Sequence, residues 1–184
     1  MTESSPRGGA AHKAMVTAER VRWAVEMLTV DPDDHLLEIG CGRGAAISMI
    51  CRCLGGGKIT AIDRSATMVR LAEQRNREHI SSGKAAVRAV ALEEADFGPE
   101  RFDKIFAINL NLFWVRSPAK ELDLLRTLLK PNGSLYLFYE PPDPSRLPKL
   151  ADRLVAVLAG NGFTTTTTTS SQPRPLLAVV ARVK

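Results

Sequence analysis

The chain has 184 residues, 45% of them hydrophobic, which suits one globular domain able to bury a core without covalent staples. The net charge of +5 at pH 7 is carried by basic residues interleaved with acidic ones, a pattern of a solvated mixed-charge surface rather than of a nucleic-acid-binding face. No run approaches the roughly 20 apolar residues needed to cross a bilayer, and the polar, glycine-rich start MTESSPRGGAAHK lacks the apolar stretch of a secretory signal.

Residues 1–10 are expected to be a flexible tail and residues 11–184 a single domain. From Ala11 to about Thr29, Met15, Ala18, Val21, Val25 and Leu28 recur at steps of three and four, the period of an amphipathic helix, which Asp31-Pro32 stops. The run His35 to Gly40 reads as a strand ending at glycine, and Ala45 to Leu54 as a helix broken by Gly55-Gly56-Gly57. Lys58 to Asp63 is a second strand, followed by a helix that Ser65 caps and that runs to about His79. Lys84 to Leu92 and Phe102 to Asn109 read as third and fourth strands with only a loop between them.

Pro118 suits the first turn of a further helix, whose face is Leu122, Leu125, Leu128 and Leu129 and which Lys130-Pro131 ends. Asn132-Gly133 reads as a turn before a fifth strand, Leu135 to Tyr139. After a proline-rich linker, Pro148 to Ala159 forms a last helix ending at Gly160. The β-branched run Thr164 to Thr169 and the segment Leu176 to Val183 make a terminal antiparallel strand pair. Alternating strands and helices imply an α/β fold with a mostly parallel sheet covered on both faces.

Chemistry is concentrated between the first strand and its helix, in Glu38-Ile-Gly40-Cys41-Gly42-Arg43-Gly44. Glycines there permit a tight turn and close approach of a ligand to the main chain. Asp63 ends the next strand about 20 residues on, where a carboxylate accepts hydrogen bonds from both hydroxyls of a ribose. Together they point to an adenosine-containing ligand at the carboxyl ends of the strands. The three cysteines, Cys41, Cys51 and Cys53, are an odd number and cluster early, which suits reduced thiols in a cytoplasmic protein. No Cys or His pair follows at zinc-site spacing, so no metal site is expected.

Four segments in register, Val30 to Gly42, Thr60-Ala-Ile-Asp-Arg-Ser65, Phe102-Asp-Lys-Ile105 and Leu128 to Leu135, resemble the class I S-adenosylmethionine-dependent methyltransferases. The resemblance covers roughly residues 30 to 138. It implies a single Rossmann-like, doubly wound sheet of seven strands in the order 3-2-1-4-5-7-6, with S-adenosylmethionine as cofactor and S-adenosylhomocysteine as product. By that resemblance Gly40, Cys41, Gly42 and Gly44 form the loop beneath the donor's methionine part, Glu38 orients its ammonium group and Asp63 holds the ribose. Arg64 and Met68 flank the adenine, Leu92 packs on its ring and Glu93 accepts from its amine.

Methyl transfer is an in-line displacement at a sulfonium methyl, so positioning supplies much of the rate and a general base is optional. Asn109 is a candidate for the donor's ammonium or an acceptor's polar group, and Glu140 is the best-placed carboxylate for removing a proton, with His12 as a second candidate. Asn111, Phe113, Trp114 and Tyr139 are expected to bound the acceptor pocket at the carboxyl ends of the fourth and fifth strands. The segment after the fourth strand departs from the Asx-Pro-Pro-aromatic motif of base- and glutamine-modifying members. With no appended RNA-binding module or aromatic-basic interleaving, a small-molecule acceptor is expected rather than RNA.

Two other readings compete. Gly40, Gly42 and Ala45 also fit a dinucleotide fingerprint, but Glu38 would set a carboxylate beside a pyrophosphate and the chain has no room for the substrate domain of an NAD(P)-dependent oxidoreductase. A non-catalytic binding protein of the same fold would be marked by a damaged glycine loop, and this loop is intact.

Overall fold

A computed structural model describes residues 19–115, 117–170 and 174–184. The tail over 1–10, the start of the first helix and His12 lie outside these residues. What remains of that helix, α1, covers residues 19–28. It is followed by β1 (His35–Ile39), α2 (Ala45–Ile50), β2 (Lys58–Asp63), α3 (Ala66–Arg75), α4 (Arg77–Ser81), β3 (Ala85–Ala89) and β4 (Phe102–Ile108). The chain ends with α5 (Leu112–Val115), α6 (Ala119–Leu128), β5 (Leu129–Tyr139), α7 (Leu147–Gly160), β6 (Phe163–Ser170) and β7 (Leu176–Val183).

The seven strands form one sheet in the order β3-β2-β1-β4-β5-β7-β6, as the resemblance implies. Pairings from β3 through β5 are parallel, whereas β5 with β7 and β7 with β6 are antiparallel. Two apolar layers cover its faces, and successive strand residues alternate between them, as the two-residue period of a strand requires. Leu37, Ile105, Leu135, Leu137 and Val179 join one layer with Leu122 and Leu125 of α6 and Leu154 and Leu158 of α7. Leu36, Phe106 and Phe138 join the other with Val21, Ala24, Val25 and Leu28 of α1 and Ile47 and Ile50 of α2. The edge strand β6 is the threonine run, mostly exposed and paired with β7 along its length.

The direction of α1 matters for the site. Near its C-terminal end, the Lys104 ammonium donates to the Thr29 carbonyl at 2.9 Å and pairs with the buried Asp34, at the amino ends of the strands. The helix therefore runs antiparallel to β1 and β4 and brings Arg20 to their carboxyl ends.

Several boundaries differ from the sequence expectation. The helix after Ser65 does not run on to His79. It is interrupted at Asn76, whose backbone leaves the helical region (φ −110°, ψ 22°) while its N–H and its side-chain amide both donate to the Ala72 carbonyl. The Asn132-Gly133 pair is no turn before a strand: β5 already begins at Leu129, and Asn132, with φ 70°, sits in an irregularity where the β4–β5 register shifts. The third strand, expected to run to Leu92, stops at Ala89 and is followed by a short 3-10 turn over Leu92–Glu94, and the helix expected over Ala45 to Leu54 stops at Ile50. Pro118 caps α6 from outside its first turn.

Candidate functional site

In a doubly wound sheet the crevice lies outside the carboxyl ends of the strands where the order reverses, here between β1 and β4. A cleft of about 430 Å³ opens there. One wall carries Gly40, Asp63, Arg64, Leu92 and Glu93, and the other Asn109, Leu110, Asn111, Leu112 and Val115.

The loop after β1 is built around the end of β2. The Gly40 and Cys41 N–H groups donate to the Ile62 carbonyl at 2.8 and 3.0 Å. The Gly42 N–H donates to Asp63 Oδ2 and the Ser65 N–H to Asp63 Oδ1, each at 2.9 Å. Asp63 thus pins the glycine loop to its own strand, and each carboxylate oxygen keeps a second lone-pair site for an incoming hydroxyl. Gly42 has φ 52°, and a Cβ built on it would meet nothing within 4 Å, so this backbone faces open space.

Glu38 is buried behind the loop, and its Oε2 has no hydrogen-bond partner. Burial, and secondarily the charge of Asp63, push its pKa up to about 8. A buried carboxyl group with an oxygen that has no partner is costly to leave alone, and a cationic ligand group at this place would favour its ionised form. The neighbouring Cys41 thiol is pushed upward as well, by burial first and then by Glu38 and Asp63, so it stays protonated.

Gly44 marks the opposite demand. A Cβ there would lie 2.5 Å from Asn76 Nδ2, because α3 packs directly on the start of α2. Asn76, 1% exposed, donates to the carbonyls of Gly44 (3.0 Å) and Ala72 (2.8 Å) and accepts from the Ser48 hydroxyl (2.7 Å). No sequence signal marked this residue, yet it fastens the far end of the glycine loop. Asn76→Ala should cost about 1–3 kcal/mol of stability, the scale for leaving buried polar partners unmatched, and weaken donor binding. Denaturant unfolding and calorimetric titration check both, and unchanged values would show that the loop holds its shape without the amide.

The residues expected around the acceptor separate into two groups. Asn109 and Asn111 line the cleft. Asn109 sits in the left-handed region (φ 54°), its N–H donating to the Phe138 carbonyl and its Oδ1 accepting from the Glu140 N–H, both bonds joining the ends of β4 and β5. Its amide oxygen is therefore committed to the backbone. Phe113 is fully buried in the core and is not a cleft wall; Leu110, Leu112 and Val115 take that place because the short α5 turns its Phe113 side inward. Trp114 packs against the same core layer, its Nε1 buried without a partner. The Tyr139 hydroxyl donates to the Leu110 carbonyl at 2.8 Å, and burial raises its pKa well above the usual tyrosine range. Glu140 is no free carboxylate: it pairs with Arg20 of α1 at 2.7 Å and with Arg174, just before β7, at 3.6 Å. Met68, half-buried on α3, is not among the residues that line the cleft. Among the described residues, no group of three His, Cys, Asp or Glu side chains is placed to hold a metal ion, and no helix is long and apolar enough to cross a membrane.

A glycine loop after β1, a carboxylate at the end of β2 and a cleft at the switch point define an α/β domain built to bind a nucleoside-containing ligand. Residues 36–133 match the family model described as a methyltransferase domain, and the chain belongs to the class I S-adenosylmethionine-dependent methyltransferases. It is 32% identical over 124 residues to a trans-aconitate 2-methyltransferase of Enterobacter sp. (strain 638), an alignment covering 64% of this chain and 45% of that protein. The chain thus spans less than half of that relative's length. Among solved structures, an S-adenosylmethionine-dependent methyltransferase from Aquifex aeolicus superposes with a TM-score of 0.72 at 17% identity over 89% of each chain. The [4+2]-cyclase SpnF superposes with a TM-score of 0.73 at 19% identity, over 90% of this chain and 81% of that one. At such identities the likeness is one of fold.

Proposed function

We propose that this chain is a cytoplasmic enzyme that transfers a methyl group from S-adenosylmethionine to a small-molecule acceptor. The observation that carries the reading is the buried, unpartnered Glu38 oxygen behind a glycine loop that faces open space, with Asp63 on the same cleft. When bound, the donor supplies an electrophilic sulfonium methyl. Gly40 to Gly42 pass beneath its methionine part, Glu38 orients the ammonium group and Asp63 takes the ribose hydroxyls. Arg64, Leu92 and Glu93, which line the cleft, serve the adenine. The acceptor enters over the carboxyl ends of β4 and β5, beside Asn111, and the rate comes from holding it in line with the methyl group.

Titration calorimetry tests the donor assignment: S-adenosylhomocysteine is expected to bind in the micromolar range, on the order of −8 kcal/mol, and NAD or NADP far more weakly. Tighter binding of a nicotinamide dinucleotide would overturn the reading. Asp63→Ala should lose about 1.5–3 kcal/mol of that affinity, the scale of hydrogen bonds to a charged group. Since a cyclase shares this fold, transfer of a labelled methyl group must be read as well as binding.

A further inference from the structure

We infer, on the reading that this cleft binds S-adenosylmethionine, that Asn109 takes the carboxylate of the donor's methionine part through its side-chain N–H groups. The fold fixes the polarity of this amide. The Glu140 N–H can only donate, so the amide oxygen of Asn109 faces it, at 2.7 Å, and the amide nitrogen is turned the other way. That nitrogen has no partner among the described residues, and it belongs to an exposed side chain that lines the cleft. The residue is held in the left-handed region (φ 54°), which asparagine tolerates, by this bond and by its own N–H to the Phe138 carbonyl. What the end of β4 offers a ligand is therefore a pair of N–H donors. They suit an anionic oxygen and have nothing to give the ammonium group that the sequence allowed at this position.

Position in the sheet selects the anion. β1 lies between β2 and β4, so Gly40 at its end separates Asp63 and Arg64 on one side of the cleft from Asn109 on the other. With Asp63 on the ribose, the amino-acid part of the donor crosses Gly40 towards β4. The two walls come close there, since a Cβ on Gly40 would lie 3.2 Å from Leu110 Cδ1, on the residue next to Asn109. Glu38 pairs in register with Phe106, three residues short of Asn109, so its unpartnered oxygen lies deeper and the Asn109 amide nearer the rim. The ammonium and carboxylate share one carbon of the ligand and are met by groups of opposite polarity on adjacent strands. The first residues of the glycine loop do not offer the carboxylate a site of their own. The Gly40 and Cys41 N–H groups donate to the Ile62 carbonyl and that of Gly42 to Asp63, while Arg64 stands with Asp63 at the ribose end. Asn111, exposed on the same wall two residues further, is the rival donor that the experiment separates.

The test is calorimetric titration of the full chain near neutral pH with S-adenosylhomocysteine and two analogues of it. In one, hydrogen replaces the carboxylate; in the other, hydrogen replaces the ammonium group. The native protein should bind the carboxylate-free analogue at least tenfold more weakly than S-adenosylhomocysteine, the scale of a hydrogen bond to a charged group. Asn109→Asp keeps the oxygen that the Glu140 N–H needs and tolerates the left-handed region, but puts a negative oxygen where the N–H donors stood. It should weaken S-adenosylhomocysteine and the ammonium-free analogue at least tenfold, and bind the carboxylate-free analogue within twofold of the native protein or more tightly. Asn109→Gly, which adopts the same φ without strain, should show a loss confined to the two carboxylate-bearing ligands. Asn111→Ala should leave all three within twofold. Unchanged S-adenosylhomocysteine affinity in the Asn109 variants overturns the assignment, and so does a loss shared by all three ligands, which would mark a purely structural role. Tighter S-adenosylhomocysteine binding by Asn109→Asp would show that the side chain meets the ammonium, and a loss in Asn111→Ala instead would give the carboxylate to Asn111; each overturns it as well. A native protein that binds none of the three ligands overturns the donor reading itself.

Discussion

Gly42→Val is expected to lower the affinity for S-adenosylhomocysteine at least a hundredfold, about 2.7 kcal/mol or more, while the protein still folds. The position combines two demands that a valine cannot meet. Its φ of 52° lies in the left-handed region, where a β-branched side chain costs on the order of 1–3 kcal/mol. Its Cβ would also project into the open space that the loop leaves for a ligand, since nothing of the protein stands within 4 Å. Gly42→Ala separates the two effects, for it carries the strain without the branched bulk, and it should bind more tightly than the valine variant. A 1–3 kcal/mol strain lowers Tm by roughly 2–12 °C in a domain of this size. Thermal melts of the free variants and titrations with S-adenosylhomocysteine read the two terms apart. If the valine variant binds like the native protein, the donor does not pass over this loop.

Much of this arrangement is legible along the chain because it depends on local pattern. A short apolar run ending in glycine, His35 to Gly40, and an acidic residue closing the next strand, Asp63, are signals carried by neighbouring residues; the alternation of elements implies a mostly parallel sheet, whereas its strand order is what the family resemblance implies. What sequence reading could not supply is long-range. Asn76 looks like an ordinary polar residue within a helix. Its significance lies in the carbonyl of Gly44, brought to it only when α3 packs on α2. Asn132-Gly133 carries the strongest local turn signal in the chain, yet pairing with β4 draws it into a strand irregularity. The four residues of α5 are too few for periodicity to fix which side faces inward, so nothing in the sequence marks Phe113 as a core residue rather than a cleft wall. Glu140 was nominated as a base on its place after β5. Its partners, Arg20 and Arg174, come from the two ends of the chain, and no spacing rule links them.

Glu38 should make the free protein lose stability as pH rises from about 6 to 8, and Glu38→Gln should abolish most of that loss. With its pKa raised from 4.5 to about 8, first by burial and then by Asp63, this carboxyl holds a proton in the folded state through an interval in which the unfolded chain has released it. The folded state binds more protons there, so stability falls with pH. The contribution is fully present below the unfolded value near 4.5 and is lost as pH rises through about 8. Between pH 6 and 8 it amounts to about 2 kcal/mol, or roughly 4–8 °C in Tm. Glutamine keeps the shape and the neutral form at every pH, so its melting profile should be the flatter of the two. Donor binding should reverse the trend: an ammonium group beside Glu38 favours the carboxylate, so affinity for S-adenosylhomocysteine should rise as pH climbs toward 8, with a proton released on binding. Calorimetry in buffers of different ionisation enthalpy counts that proton. Parallel melting profiles for the native and Glu38→Gln proteins, together with pH-independent binding, would show that the carboxyl is already ionised in the free protein and does not receive the donor's ammonium.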